Sequence, residues 1–298
     1  MNSRIDCAAI IGVGLIGGSF GMALRKRGLA GRVIGIGRNP ERLQRGADLG
    51  AVDSWTTDLQ AGVRDADLVY ISTPVGMEVE FVRLIVPYAK PGCVITDAGS
   101  TKSEVCRGAD ALMREGVHFV GGHPMAGSEA AGVEAAKPDL FVNAAYVLTP
   151  TEKTDSEALA LVHSLAEGIG SRIIVMDPES HDRCAAVISH LPHLIAAALV
   201  SLAKEQSSRD PQVFDLIAGS FRDMTRVAGS PPVIWRDICM TNVEAIREAA
   251  EVFQRLLDEG VKLVEAKDGK AFEDWFASAK ALRDSLVRAS DSEAPDGE

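Results

Sequence analysis

Residues 7–17 read Cys-Ala-Ala-Ile-Ile-Gly-Val-Gly-Leu-Ile-Gly. Residues 7–11 form a short apolar run of strand character, Gly12 to Gly17 spell G-x-G-x-x-G, and a helical pattern follows over 15–27. In this strand–turn–helix context each glycine has a mechanical purpose. Gly12 permits the tight turn, Gly14 lets the backbone approach a pyrophosphate, and Gly17 lets the helix pack closely on the strand. The helix N-terminus, at Leu15 and Ile16, offers N–H groups and partial positive charge to an anion. The stretch predicts a dinucleotide site on Gly12, Gly14, Leu15, Ile16 and Gly17. The plainer alternative is a glycine-rich turn in a cofactor-free α/β fold.

Working outward, short apolar runs alternate with amphipathic stretches through the first half. Strands are expected at 32–36, 68–72, 94–97, 119–120, 145–148 and 172–175, with a short return at 50–52. Helices are expected at 40–49, 79–88, 103–113 and 156–167. Such alternation predicts a parallel sheet covered on both faces. After residue 177 strand signals stop, and segments 180–206, 211–227, 233–266 and 270–290 carry helical periodicity. The expected fold class is therefore α/β: a Rossmann-type dinucleotide-binding domain over 1–177, then an all-α domain over 178–298. The apolar stretch 184–203 carries His190, Pro192 and His193 and is expected to be a buried helix rather than a membrane span.

A NAD site usually ends its second strand with an acid that binds the ribose 2′-hydroxyl. Here the strand closes Ile36-Gly37-Arg38-Asn39, so the acid is missing and a guanidinium follows. Arg38 suits a 2′-phosphate, which leans the NAD(P) expectation towards NADP. The bland alternative leaves Arg38 facing solvent.

Ligands of doubly wound sheets bind at the C-terminal strand ends. Ser72-Thr73-Pro74 is expected beside the nicotinamide. Asp97-Ala98-Gly99-Ser100 closes another strand, and Ser100 could instead cap the next helix. Gly121-Gly122-His123-Pro124 is expected to be a shaped turn presenting His123. In the helical half, His190 and His193 stand three apart on one face, too few donors for a metal site. Arg222 and Arg226 stand four apart among apolar residues, ahead of Trp235-Arg236-Asp237, a pattern that suits an anion clamp.

The chain of 298 residues carries 31 basic and 42 acidic side chains, a formal charge of -11. Such a surface repels phosphate backbones, so general nucleic-acid binding is disfavoured. The five cysteines include no C-x-x-C pair, which argues against a zinc ribbon or disulfide framework and fits a reducing cytoplasm.

Taken together, Gly12-Val13-Gly14-Leu15-Ile16-Gly17-Gly18-Ser19, Asp97-Ala98-Gly99-Ser100-Thr101-Lys102, the Gly121–Glu129 segment, Ser189-His190-Leu191-Pro192-His193 and Phe221-Arg222-Asp223-Met224-Thr225-Arg226 resemble the prephenate/arogenate dehydrogenase family of tyrosine biosynthesis. The resemblance implies oxidative decarboxylation of prephenate or arogenate with NAD(P), and a helical domain that forms a homodimer. It implies His123 as the histidine that meets the substrate C4 hydroxyl, and Ser100 as the serine that bonds this histidine. Arg226 matches the arginine that clamps a substrate carboxylate, and His193 a pocket histidine that His190 supports. Glu129 matches an acid of an ionic network at the pocket mouth. No chorismate mutase domain is expected before residue 8 and no full ACT domain after the helices, so inhibition by tyrosine would act at the active site. One rival, a β-hydroxyacid dehydrogenase, typically uses lysine with asparagine four residues on, and no lysine here has that neighbour. The other rival is a non-enzymatic dinucleotide sensor, which would need neither His123 nor Arg226 poised around a cavity.

Overall fold

The computed structural model describes residues 4–127 and 132–292, and the side chains of those up to 286. The chain forms two compact units, Met1–Ala245 and Ile246–Glu298.

The first unit is built on eight strands: β1 (Ile5–Ile11), β2 (Ala30–Ile36), β3 (Ser54–Thr56), β4 (Leu68–Ile71), β5 (Cys93–Asp97), β6 (Val117–Pro124), β7 (Ala145–Thr149) and β8 (Arg172–Val175). Between them run α1 (Leu15–Lys26), α2 (Pro40–Asp48), α3 (Leu59–Val63), α4 (Glu78–Ile85), α5 (Ser103–Asp110) and α6 (Ser156–Gly168). The sheet order is β3-β2-β1-β4-β5-β6-β7-β8. All pairings are parallel except β6 with β7, so the sheet is mixed rather than purely parallel. The order reverses between β1 and β4, which opens a crevice at the C-terminal strand ends.

Alternation along β1 sends Ala8 and Ile10 to one face and Ala9 and Ile11 to the other. Each face has its own apolar core: Phe20, Tyr70 and Phe141 on the first, Val69, Ile95 and Phe119 on the second. Covering on both faces explains why these strands read as continuous apolar runs.

Two local expectations are corrected. The return expected at 50–52 is a bend, and the pairing strand is β3, too short at Ser54–Thr56 to show a period. The Gly121–Pro124 segment is not a turn: it is the end of β6, paired antiparallel with Tyr146–Thr149. Side chains at Gly121 and Gly122 would run into Thr149 and Asp97, so the glycine pair serves close packing within the sheet.

After β8 the chain turns helical. In this unit lie α7 (Pro178–Ala185), α8 (Leu191–Ser207), α9 (Gly219–Thr225) and α10 (Pro232–Thr241). A π-turn, Ala186–His190, joins α7 to α8 in one continuous helical run, and Pro192, which has no N–H to donate, follows directly after this irregular turn. Residues 178–207 are long and apolar enough by length and composition to cross a membrane. The expectation of a buried helix here is corrected, since only 28% of that apolar window is buried within the chain. Val187, Ile188, Leu194, Val200 and Leu202 are exposed.

The second unit holds most of α11 (Val243–Glu265) together with α12 (Gly269–Ser292). Gly260 lies against the Trp275 ring, and Val252, Leu257, Val261, Val264, Phe276 and Leu282 are exposed.

Candidate active site

The glycine turn takes the conformation its sequence requires. Gly12 has φ +93°, and a Cβ there would strike the Ser72 carbonyl oxygen. Gly14 is the N-cap of α1, with no side-chain hydrogen bond from the cap and nothing within 4 Å of where a Cβ would stand. Leu15, Ile16 and Gly17 begin α1 beside the end of β4, where Ser72 and Thr73 are half-buried and Pro74 is exposed. The Thr73 hydroxyl is buried without a hydrogen-bond partner among the described residues. An open glycine cradle at a helix start, with an orphaned hydroxyl beside it, fits a dinucleotide. Arg38 stands exposed just past β2.

At the end of β5 the side chains turn inward. Asp97 is fully buried; its Oδ2 accepts the Gly99 N–H at 2.8 Å and its Oδ1 the Gly122 N–H at 3.0 Å. The buried Lys102 ammonium pairs with Asp97 and donates to the Gly122 carbonyl oxygen at 2.9 Å. Burial pulls the Lys102 pKa down, but Asp97 and Glu78 outweigh it and hold it above its ordinary value. Glu78 is also fully buried, and burial followed by the Asp97 charge pushes its carboxyl well above the usual range. Asp97 and Lys102 therefore grip both polar groups of the Gly122 peptide, one residue before His123. The Asp97 carboxylate is a brace inside the protein.

Ser100, half-buried in the turn after β5, is not the cap of α5. That cap comes from α7: Asp182 Oδ1 accepts the Lys102 N–H at 2.7 Å and Oδ2 the Ser103 N–H at 2.8 Å.

His123 Nδ1 lies 2.8 Å from His181 Nε2, and His181 Nδ1 lies 2.8 Å from Asp182 Oδ1. Burial, with His181, Lys102 and His190 adding to it, pushes the His123 pKa well below its ordinary value, so the ring is neutral. Burial raises Asp182, yet its hydrogen bonds from His181 and the α5 N-terminus hold it below the usual range.

His190 is buried in the π-turn, where Asn242 Nδ2 donates to its Nδ1 at 3.1 Å and to the Asp182 carbonyl oxygen at 2.8 Å. Its pKa is pushed down to about 4, by burial first. His193 Nδ1 donates to the Ser189 carbonyl oxygen at 2.8 Å, and its ring stacks on Trp235 with centroids 3.5 Å apart. His190 meets the same indole edge-on, at 6.2 Å. An apolar cavity beside them is lined by His193, Leu194, Val227, Trp235 and Cys239. Arg226, exposed where α9 ends, is close enough to depress the His193 pKa electrostatically. His123, His190, His193 and Arg226 thus form a sequence of electrostatic neighbours. Arg222 is exposed on α9, four residues earlier. Glu129 lies outside the described residues.

His181, Asp182 and Asn242 were missed in the sequence. His181-Asp182 has no special spacing; the two are the fourth and fifth residues of a helix that looks merely polar, and only the tertiary fold brings them to β6.

A mostly parallel sheet in dinucleotide-binding order, followed by helices, defines a Rossmann-type nucleotide-binding protein with a helical extension. The profile of the prephenate dehydrogenase nucleotide-binding domain matches residues 20–175, and that of the prephenate dehydrogenase dimerization domain matches residues 177–278. Prephenate dehydrogenase of Bacillus subtilis is 39% identical over 287 residues, covering 96% of this chain and 77% of that protein. Among solved structures, A. aeolicus prephenate dehydrogenase in complex with hydroxyphenyl propionate and NAD+ superposes with TM-score 0.89 at 34% identity, covering 94% of this chain and 98% of that one. Synechocystis arogenate dehydrogenase superposes with TM-score 0.83 at 30% identity, covering 94% and 99%. The chain belongs to the prephenate dehydrogenase family.

Proposed function

We propose that the chain catalyses NAD(P)-dependent oxidative decarboxylation of prephenate, arogenate or both, giving 4-hydroxyphenylpyruvate or tyrosine. The observation that carries the proposal is a half-buried His123 at a strand end, its Nδ1 2.8 Å from His181 Nε2, in a unit where His190 and His193 meet one indole beside an apolar cavity.

The substrate ring bears a hydroxyl and a hydrogen at C4 and a carboxylate at C1. The nicotinamide, when bound, accepts the C4 hydrogen with its electron pair. As C4 becomes electron-poor, the C1–carboxylate bond breaks, CO₂ leaves, and that electron pair completes the aromatic ring. The C4 oxygen gains carbonyl character on the way and ends as a phenol, so no proton is released overall. A neutral His123 fits this need, because its free ring nitrogen can accept the hydroxyl hydrogen bond as it strengthens and give it back. Ser100 orients the same hydroxyl. Arg226 clamps a substrate carboxylate with His193 beside it, and Arg222 borders the entrance. His190, held by Asn242, supports the wall of the pocket.

Gly12, Gly14, Leu15, Ile16 and Gly17 would hold the pyrophosphate, with Ser72, Thr73, Pro74 and Gly99 along the nicotinamide side. The Arg38 guanidinium, with no acid at Gly37, favours NADP over NAD. Residues 178–298 form the substrate and dimerisation segment, and the exposed apolar side chains of the π-turn and α8 suit a contact with a second copy. The experiment is steady-state kinetics with both substrates and both cofactors. Turnover of at least one substrate supports the proposal, and cofactor binding without turnover of either refutes it.

A further inference from the structure

We infer that His181 and Asp182 fix which nitrogen of His123 carries its proton, leaving Nε2 bare to receive the substrate hydroxyl. The inference deepens the role given to His123 above and rests on it.

Asp182 anchors the hydrogen bonds behind His123. Its two oxygens already accept the N–H groups of Lys102 and Ser103, at 2.7 and 2.8 Å. A carboxylate anchored in this way at a helix N-terminus is ionised and can only accept. His181 Nδ1, 2.8 Å from Oδ1, must therefore be the donor. With His181 taken as the neutral imidazole, which has one N–H, its Nε2 carries a lone pair. His123 Nδ1 lies 2.8 Å from that lone pair and must donate in turn. The proton of His123 is thereby held on Nδ1, and Nε2 is the acceptor.

The surroundings favour the neutral form of the His123 ring. His181 and Asp182 are both buried, and the charged or titratable groups facing His123 are Lys102 from the β5–α5 turn, His181 from α7 and His190 from the π-turn. Asn242 ties the Asp182 carbonyl to His190, so one amide links the two arms of the cluster. His181 and Asp182 are positioning residues: they act on the reaction through His123. They also explain why a buried Asp–His pair lies behind β6 at all, where plain apolar packing would be cheaper than an ionised group.

The test uses the full-length protein and reads ¹⁵N resonances of the histidine rings together with kinetics. In the native protein His123 should show a protonated Nδ1 and a bare Nε2. Asp182→Asn removes the carboxylate that makes His181 Nδ1 the obligatory donor, so the His123 proton is no longer held on Nδ1 alone and the ¹⁵N resonances should show Nε2 partly protonated. Its kcat should fall on the order of 10²-fold or more, with KM changed less than about threefold. His181→Phe should lose a similar amount. His181→Gln should restore kcat to within about tenfold of native, because an amide carries a donor for Asp182 and an acceptor for His123 at a spacing close to that of the ring nitrogens. If Asp182→Asn fails to fold through loss of the α5 cap, the His181 pair of variants decides. A native His123 protonated on Nε2, or His181→Phe with kcat within about threefold of native, overturns the inference. A native protein that turns over neither substrate refutes the proposed function instead, and the ¹⁵N tautomer still decides the inference.

Discussion

An imidazole accepts a hydrogen bond at its second nitrogen only while it is neutral, and burial keeps His123 so. His123→Asn should lower kcat by about 10²-fold or more with little change in KM, because the interaction strengthens towards the transition state. A kcat near native in a stopped-flow or steady-state assay would remove His123 from the chemistry. Arg226→Ala should chiefly raise KM, since a carboxylate clamp acts in the ground state as well. An unchanged KM would move the clamp elsewhere. His190 gives a pH signature of stability. Its folded pKa, about 4, lies below its ordinary 6.5, so below pH 6.5 the unfolded chain takes up the proton first. Stability should therefore fall as pH drops from 6.5 to 4, by about 3 kcal/mol from this group, and level off below that. Urea midpoints across this range should show a shallower fall in His190→Gln than in the native protein. At this scale His123, His190, His193 and Arg226 were legible because glycine, proline or arginine neighbours marked them. His181 and Asp182 were not, because a buried hydrogen-bonded pair inside a helix leaves no local pattern.

At the scale of elements, the β1–α1 turn separates folding from binding. Gly12→Ala puts a Cβ against the Ser72 carbonyl at a positive φ, and should cost roughly 1–3 kcal/mol of stability as well as cofactor affinity. Gly14→Ala meets nothing inside the protein, so its melting temperature should stay near native while the dinucleotide Kd rises. Calorimetry paired with a fluorescence titration of NAD(P)H would separate the two; equal behaviour would mean that Gly14 does not face the pyrophosphate. The turn itself was legible from spacing alone. The end of β6 was not: Gly-Gly-His-Pro carries the composition of a loop, yet the two glycines are there so that the strand can pass close to Asp97 and Thr149. Likewise β3 has three residues, too few for alternation to register.

For the whole molecule, the switch from alternating elements to helices after residue 177 was visible in the sequence. How those helices group was not, because compactness depends on long-range contacts: α7 to α10 lie within the same unit as the sheet. The same limit made 184–203 read as a core helix, when its apolar side chains are exposed in the single chain. A contiguous exposed apolar face of this kind suits association with a second copy. Light scattering should give twice the chain mass, and Leu202→Glu should shift the protein towards monomer; a native monomer at micromolar concentration would contradict the pairing. The measurement that bears on everything above is the appearance of reduced nicotinamide when the native protein is given prephenate or arogenate with NAD+ or NADP+, with CO₂ followed in parallel. One CO₂ per reduced nicotinamide with at least one pairing, fastest with NADP+, is the expected result. Reduced nicotinamide without CO₂, or no turnover in any of the pairings by a protein that binds the dinucleotide, would contradict it.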